Sequence, residues 1–414
     1  MRLGAGRLNF RSLVTVMVIT SVFLLLLVID RQIVRLNGDM YNQDFFSLWA
    51  SGRGLLEGAN LYDPEAWADL HARYGSSWLE NIVFIYPLPV AFLFLPFSLL
   101  PLPLAATAWE LASQVMLIVS IVALFVGLQD RRLSLVLLPL VFFSRPAMVI
   151  FINGQLSAVW PFSLSLFYLF VRCGQYTAAA SVLVLLLLKP SIPLFILPVA
   201  LVWLLTCRAW KGLFAFATLS AAVWGLSLVV EPGWVGRWSV FALAKGSHFA
   251  TFIPTFWGLS YDLLATRFPG TMWLVALAVV SGLSVALCMW WLIHSDDIWP
   301  PALWLACAVC LSLLVSPYAW NYDQVLLLFP LGVILAMSDR MDGWRRMLTQ
   351  AGAIGVMGIL PYVLLAVAGQ RGVDTLSALV PLAMLLLLIG TTRWGTVCHG
   401  WARSNPQPGL CVRR

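Results

Sequence analysis

Long apolar runs follow one another along almost the whole chain, and this feature constrains the fold more than any other. After a first run from Leu13 to Ile29, they lie near residues 104–128, 133–150, 154–171, 175–188, 191–207, 212–230, 272–294, 298–316, 322–338, 347–369 and 374–391. Only 10% of the 414 residues are charged, whereas soluble domains have about 25%. So few charges exclude a soluble enzyme, a coiled coil, a disordered chain and a nucleic-acid-binding protein. We predict an all-α polytopic membrane protein.

The basic residues set the predicted orientation, because short cytoplasmic loops carry an excess of Lys and Arg. The difficult segment is 83–103, which is apolar enough to span a membrane but contains five prolines. Counting it as a span gives thirteen spans and places Arg131, Arg132 and Arg172 outside. Omitting it gives about twelve and places these arginines inside, as the rule requires. We therefore predict about twelve spans, with 83–103 lying in the outer interface or re-entering the membrane.

This topology makes the chain a single integral membrane domain over residues 1–414 with cytoplasmic termini. Its parts are a first span at 12–29, a first outer loop at 30–103, spans two to seven at 104–230, a second outer loop at 231–271, spans eight to twelve at 272–391, and a cytoplasmic tail at 392–414. The two outer loops are expected to carry interfacial helices. One of these interfacial helices, in the first outer loop, contains Phe45, Phe46, Leu48 and Trp49. We expect the apolar face of this helix to lie on the membrane.

Several polar and aromatic patches converge on the outer face in this topology. They are Asp44, residues 60–64, Tyr86-Pro87, residues 153–155, Lys189-Pro190 and residues 316–323. A lysine at membrane depth is energetically expensive, so Lys189 suggests a site for an anionic ligand. The alternative is that its long side chain reaches the interface as an anchor. Any chemistry is therefore predicted on the outer face, because the cytoplasmic loops are short.

The order of these patches resembles glycosyltransferase family 87. The resemblance starts at Asp44-Phe45-Phe46, Trp49 and Leu61-Tyr62-Asp63-Pro64, and it continues through Tyr86-Pro87, Trp109, Gly154-Gln155, Lys189 and Ser316–Trp320 followed by Tyr322-Asp323. It covers about residues 10–340. One departure is Tyr86-Pro87-Leu88-Pro89, where the family usually has Tyr-Pro-Pro.

The resemblance implies a membrane fold of the GT-C type and an activity similar to that of polyprenyl-phosphate-mannose-dependent α-mannosyltransferases. The expected partners are a polyprenyl-phosphate sugar as donor, a lipid- or glycan-linked acceptor and the membrane lipids, with no nucleic acid. The expected location is the bacterial inner membrane, with the active site facing the periplasm. No cofactor is expected, and the sequence contains no metal-ligand motif.

Inverting transfer from a lipid phosphate needs one general base on the acceptor hydroxyl and a stabilised phosphate leaving group. With the family pattern, Asp44 is the predicted base. The alternative for Asp44 is an N-terminal helix cap, the role expected of Asp63 and Glu65 in the next helix.

The other predicted site residues fall into two groups. Those expected at the donor phosphate are Lys189, Lys245, His248 and Arg145. Those expected to bind substrate are Tyr62, Tyr86, Gln155, Trp320, Tyr322 and Asp323. The competing functional hypotheses are a transporter or lipid flippase, and a membrane scaffold without enzymatic activity.

Overall fold

The computed structural model describes residues 44–76, 82–128, 133–249, 251–264, 301–339 and 341–394. The helices in chain order are α1 (Asp44–Glu57), α2 (Pro64–Arg73), α3 (Leu88–Ser98), α4 (Leu102–Leu128), α5 (Leu133–Phe142), α6 (Arg145–Asn153), α7 (Val159–Arg172), α8 (Tyr176–Val182), α9 (Ile196–Thr206), α10 (Trp210–Val230), α11 (Trp234–Phe249), α12 (Phe256–Leu264), α13 (Pro301–Val315), α14 (Leu328–Ser338), α15 (Gly343–Ile354), α16 (Leu360–Arg371) and α17 (Leu379–Trp394). Short 3-10 segments at Leu156–Ala158, Leu183–Leu188, Asn321–Leu327 and Thr375–Ala378, and a π-helical turn at Gly355–Ile359, join some of them. No strand occurs in these ranges, so the all-α prediction is confirmed for them.

Several of these helices are suited to a membrane. In the described ranges, five helical stretches are long and apolar enough to cross one: Leu102–Leu128, Trp210–Val230, Asn321–Ser338, Gly343–Arg371 and Thr375–Thr392. The shorter apolar helices, of 10–17 residues, are Leu88–Ser98, Leu156–Arg172, Tyr176–Leu188, Ile196–Thr206 and Pro301–Val315. The chain is thus a membrane protein. The total of about twelve spans stays a prediction, and its spans at 12–29 and 272–294 lie outside the described residues.

Within the described ranges, the apolar runs identified in the sequence correspond closely to helices. The run at 133–150 is the main difference, because it forms two helices rather than one. α5 ends at Phe142, and α6 begins at Arg145 with Pro146 in its first turn. Proline has no backbone N–H to continue a preceding helix, but it is well suited to the first turn of the next.

The described part of the first outer loop folds against the protein. α1 packs on α3, and its large apolar side chains are buried: Phe45, Phe46, Leu48 and Trp49. The prediction that this apolar face lies on the membrane is therefore wrong. The approach is close because α1 has a glycine there: a Cβ at Gly52 would lie 2.1 Å from the Ser98 Oγ.

The proline-rich segment 83–103 supplies the helix that covers α1. α3 has 11 residues and contains Pro96, so it is shorter than the roughly 20 residues of a straight span. A turn then leads to α4, which begins at Leu102. The segment is therefore interrupted as its prolines predict, and its position relative to the membrane stays a prediction.

α4 and α7 pack side by side and run in the same direction. Near their starts, the Trp109 Nε1 donates to the Gly154 carbonyl at 2.9 Å. Further along, a Cβ at Gly127 would lie 2.8 Å from the Tyr168 ring. A small residue at this crossing lets the two helices approach closely, as is common between membrane helices.

Candidate functional site

Asp44 is the first residue of α1, and it lies beside the turn that joins α6 to the 3-10 segment before α7. Its side chain is partly exposed. The Gln155 Nε2 donates a hydrogen bond to the Asp44 Oδ2. Gln155 itself is only 1% exposed. The structure therefore brings together two predicted site residues that are 111 positions apart in the sequence.

A left-handed glycine shapes the turn that carries Gln155. Gly154 ends α6 with a φ of 66°, a conformation that costs other residues about 1–2 kcal/mol. The N–H groups of Gly154 and Gln155 both bind the Ile150 carbonyl. Because the Gly154 carbonyl accepts the Trp109 indole N–H, the turn is fixed to α4 as well as to α6.

Replacing Gly154 by Ala should damage this arrangement. An added Cβ would lie 2.5 Å from the Phe45 Cβ, so α1 and its Asp44 must move. Left-handed strain adds to the clash, and together we expect a loss of about 1–3 kcal/mol of stability. Thermal unfolding of the detergent-purified variant measures this loss.

Gly174→Ala is the matched control. Gly174 is also left-handed, with a φ of 73°, but an added Cβ there would meet nothing within 4 Å. This variant should therefore show only the strain. Equal losses of stability in the two variants would mean that the contact with Phe45 is unimportant.

Tyr62 supports the backbone at Tyr86. The Tyr62 hydroxyl donates to the Tyr86 carbonyl at 2.7 Å, and its ring stacks on Trp234 with centroids 5.9 Å apart. Burial raises the pKa of the Tyr62 phenol well above its usual value, so the group stays a neutral donor. The Trp238 Nε1 donates to the Ile85 carbonyl at 2.8 Å. These contacts fix α11 against residues 84–86.

The Asp323 carboxylate is buried and receives several donors. The Lys189 Nζ lies 2.6 Å from its Oδ2, and the Trp320 backbone N–H donates to the same oxygen at 2.8 Å. The Ser157 hydroxyl donates to Oδ1 at 2.6 Å, and the Trp160 indole lies 3.4 Å from it. Asp323 therefore joins the 3-10 segment Asn321–Leu327 to α7 and to Lys189.

Three aromatic rings, of Tyr318, Trp320 and Tyr322, lie near this ion pair. Trp320 and Tyr322 are stacked, with centroids 6.5 Å apart and planes inclined by 21°. The Lys189 Nζ lies 5.2 Å from the Tyr322 ring centre and 5.4 Å from that of Tyr318. Gln155, which binds Asp44, lies two residues from Ser157, which binds Asp323. Predicted residues from distant parts of the sequence are thus brought into one region.

Arg145 is buried and forms a second ion pair, with the half-buried Asp374. Its Nη2 lies 2.7 Å from the Asp374 Oδ2, and its Nη1 donates to the Ser377 hydroxyl at 3.0 Å. The Asn321 Nδ2 also donates to the Asp374 Oδ2 at 2.8 Å. Arg145 thereby connects the start of α6 to the segments before Tyr322 and before α17.

The remaining predicted phosphate residues lie on α11. Lys245 and His248 belong to the last turns of this helix, and their side chains are outside the described residues. Metal-ligand chemistry has no candidate in the described ranges, where no group of three or more His, Cys, Asp or Glu could hold an ion.

Exposure divides the predicted residues into two sets. The partly exposed set comprises Asp44, Tyr86, Trp320 and Tyr322. The buried set comprises Tyr62, Arg145, Gln155, Lys189 and Asp323. The buried set is held in place by four residues that were not predicted from the sequence: Ser157, Trp160, Trp234 and Asp374. Asp374 stands at the start of the apolar run 374–391. An acid at the edge of such a run could have marked it as a candidate site residue.

Comparison with known proteins identifies a family. The model of glycosyltransferase family 87 matches residues 84–317, more than half of the chain. Comparisons with curated proteins and with solved structures gave no significant match. The match includes Tyr86, Gln155, Lys189 and the Ser316-Pro317 pair that begins the aromatic segment, and it supports a membrane-bound transferase of sugars. The chain therefore belongs to glycosyltransferase family 87.

Proposed function

We propose that this protein transfers a hexose from a polyprenyl-phosphate sugar to a lipid- or glycan-linked acceptor, with inversion at the anomeric carbon. One observation carries the proposal: Gln155 binds the partly exposed Asp44 carboxylate, and Ser157, two residues further on, binds Asp323, whose segment carries the stacked rings of Trp320 and Tyr322. A carboxylate and aromatic faces joined in this way provide a base and a surface for a sugar ring. The alternative of a transporter or flippase is not favoured, since the family consists of glycosyltransferases.

The proposed reaction is a single displacement. Asp44 accepts the proton of an acceptor hydroxyl, the hydroxyl oxygen forms a bond to the anomeric carbon, and the bond from that carbon to the phosphate oxygen breaks. The lipid phosphate leaves with its electron pair. A β-linked donor would give an α-linked product, and one general base suffices. Tyr86, Trp320 and Tyr322 are the proposed contacts of the sugars.

Lys245 and His248 are the proposed ligands of the leaving phosphate. A phosphate released near apolar helices needs positive charge to stabilise it. α11, which carries both residues, is fixed beside Tyr86 through Trp234 and Trp238. Lys189 already faces the buried carboxylate of Asp323, and Arg145 faces the half-buried carboxylate of Asp374. If Lys189 or Arg145 bound the donor phosphate, it would have to contact the phosphate while still paired with its aspartate, or else break that ion pair.

The family resemblance supplies the finer parts of the proposal. It favours mannose as the sugar, a GT-C fold, the bacterial inner membrane and a site facing the periplasm. The lipid-linked donor agrees with the many apolar helices of the chain, because a polyprenyl tail needs an apolar surface.

A transfer assay tests the function directly. The purified protein is incubated with synthetic polyprenyl-phosphate mannose, glucose or arabinose and a membrane lipid extract as the acceptor source. We expect a new glycolipid from the mannose donor, α-linked by product analysis and absent with an inactive Asp44 variant. Movement of the donor across vesicles without any glycosidic product would contradict the proposal and support a flippase.

A further inference from the structure

Gln155 is an unusual residue to bury at this position. It is 1% exposed, and its amide nitrogen donates to the Asp44 Oδ2. Its amide oxygen, Oε1, has no hydrogen-bond partner within the described ranges. A buried unpaired oxygen costs free energy that an apolar side chain of similar size would not. Such local costs are typical of functional residues.

The orientation of the amide follows from its charged neighbour. An amide oxygen turned toward a carboxylate oxygen would be repelled, so the NH₂ group must face Asp44. The Gln155 backbone is fixed by its N–H bond to the Ile150 carbonyl at 3.1 Å, beside the left-handed Gly154. Gln155 is therefore a rigid donor aimed at one oxygen of Asp44.

A fixed donor limits what the carboxylate can do. The terminal torsion of an aspartate is broad, so an isolated carboxylate rotates through many orientations. One hydrogen bond from a fixed amide narrows that range.

We infer that Gln155 is a positioning residue, whose amide holds the Asp44 carboxylate in the orientation that receives the acceptor proton. This rests on the proposed function of Asp44 as general base. Gln155 acts through Asp44, so its effect should depend on the presence of that carboxylate.

The test is a double-mutant cycle on transfer from polyprenyl-phosphate mannose, with Asp44→Ala, Gln155→Leu and both changes together. Gln155→Leu should lower kcat by about 10–100-fold, as expected for a misplaced catalytic group. The KM for the donor should change by less than about threefold, because the interaction is not with the donor. In the Asp44→Ala background, the same change should alter the residual rate by less than about threefold.

Gln324→Leu is the matched control. Gln324 is also buried, and its Nε2 donates one hydrogen bond, to the Ser377 carbonyl at 2.9 Å. Gln324→Leu removes one buried side-chain hydrogen bond, as Gln155→Leu does, and its kcat should stay close to normal.

The outcomes separate the inference from the proposed function. An equal loss of rate from Gln155→Leu in both backgrounds, or an unchanged kcat in the single variant, overturns the positioning role alone. A normal rate in Asp44→Ala overturns both Asp44 as the base and the role of Gln155.

Discussion

Asp44→Asn should lower turnover by about 10²–10⁴-fold, the usual effect of removing a general base. The amide side chain has nearly the same size, and its oxygen still accepts the Gln155 hydrogen bond, but it cannot take a proton from the acceptor. Asp44 lies at the start of α1 and is partly exposed, so the fold should be little affected. Donor affinity should persist, because the carboxylate is not proposed to hold the phosphate.

The measurements are turnover, donor affinity and thermal unfolding of the detergent-purified variant. Asp63→Asn is the matched control. Asp63 caps α2 through the Glu65 and Ala66 N–H groups, and Asn caps helices about as well as Asp, so this variant should behave normally. Joint loss of expression and donor binding in Asp44→Asn would instead indicate a structural cap. Normal turnover in Asp44→Asn would exclude it as the base.

If Asp44 were excluded, another acid would have to act as the general base, and the structure limits the choice. Asp323 is fully buried and bound by Lys189, Ser157 and the Trp320 backbone. Accepting a proton there would disrupt the ion pair. Asp63 is exposed, but its carboxylate is occupied at the start of α2. Asp44 is therefore better placed than either to meet an acceptor.

Local features of this fold were predictable from the sequence, and long-range ones were not. The apolar runs gave most of the helices, and the Asp63 cap follows from a short motif, Asp-Pro-Glu, at a helix start. By contrast, Lys189 and Asp323 are 134 positions apart, and Arg145 and Asp374 are 229 apart. No periodicity encodes such pairs, because tertiary packing alone brings them together.

The orientation of α1 shows a second limit. Its Phe45, Phe46 and Trp49 were correctly expected to avoid water, but they face α3 and its neighbours instead of lipid. Lipid tails are about as apolar as leucine side chains. Composition therefore cannot distinguish a surface that faces lipid from one that faces protein. The same limit applies to the count of spans among the shorter helices.

Lys189→Met should destabilise the protein by about 3–5 kcal/mol, the usual cost of leaving a buried charge without its partner. Met keeps an unbranched apolar side chain of similar length and removes the ammonium group. Asp323 would remain at 0% exposure, with only Ser157, Trp160 and the Trp320 backbone as donors. The loss is measured as a decrease in the free energy of unfolding in detergent.

Lys211→Met is the matched control, because Lys211 lies exposed on α10 and its change should matter by less than about 0.5 kcal/mol. Adding Asp323→Asn to Lys189→Met should restore part of the lost stability, because a neutral amide leaves no buried charge. Its single oxygen can still accept from Ser157 and Trp160, whereas the Trp320 N–H loses its acceptor. Equal stability of the Lys189→Met and Lys211→Met variants would show that the pair adds nothing to folding. If such a stable Lys189→Met variant also bound the donor weakly, Lys189 would contact the lipid phosphate, and Asp323 would serve to hold it there.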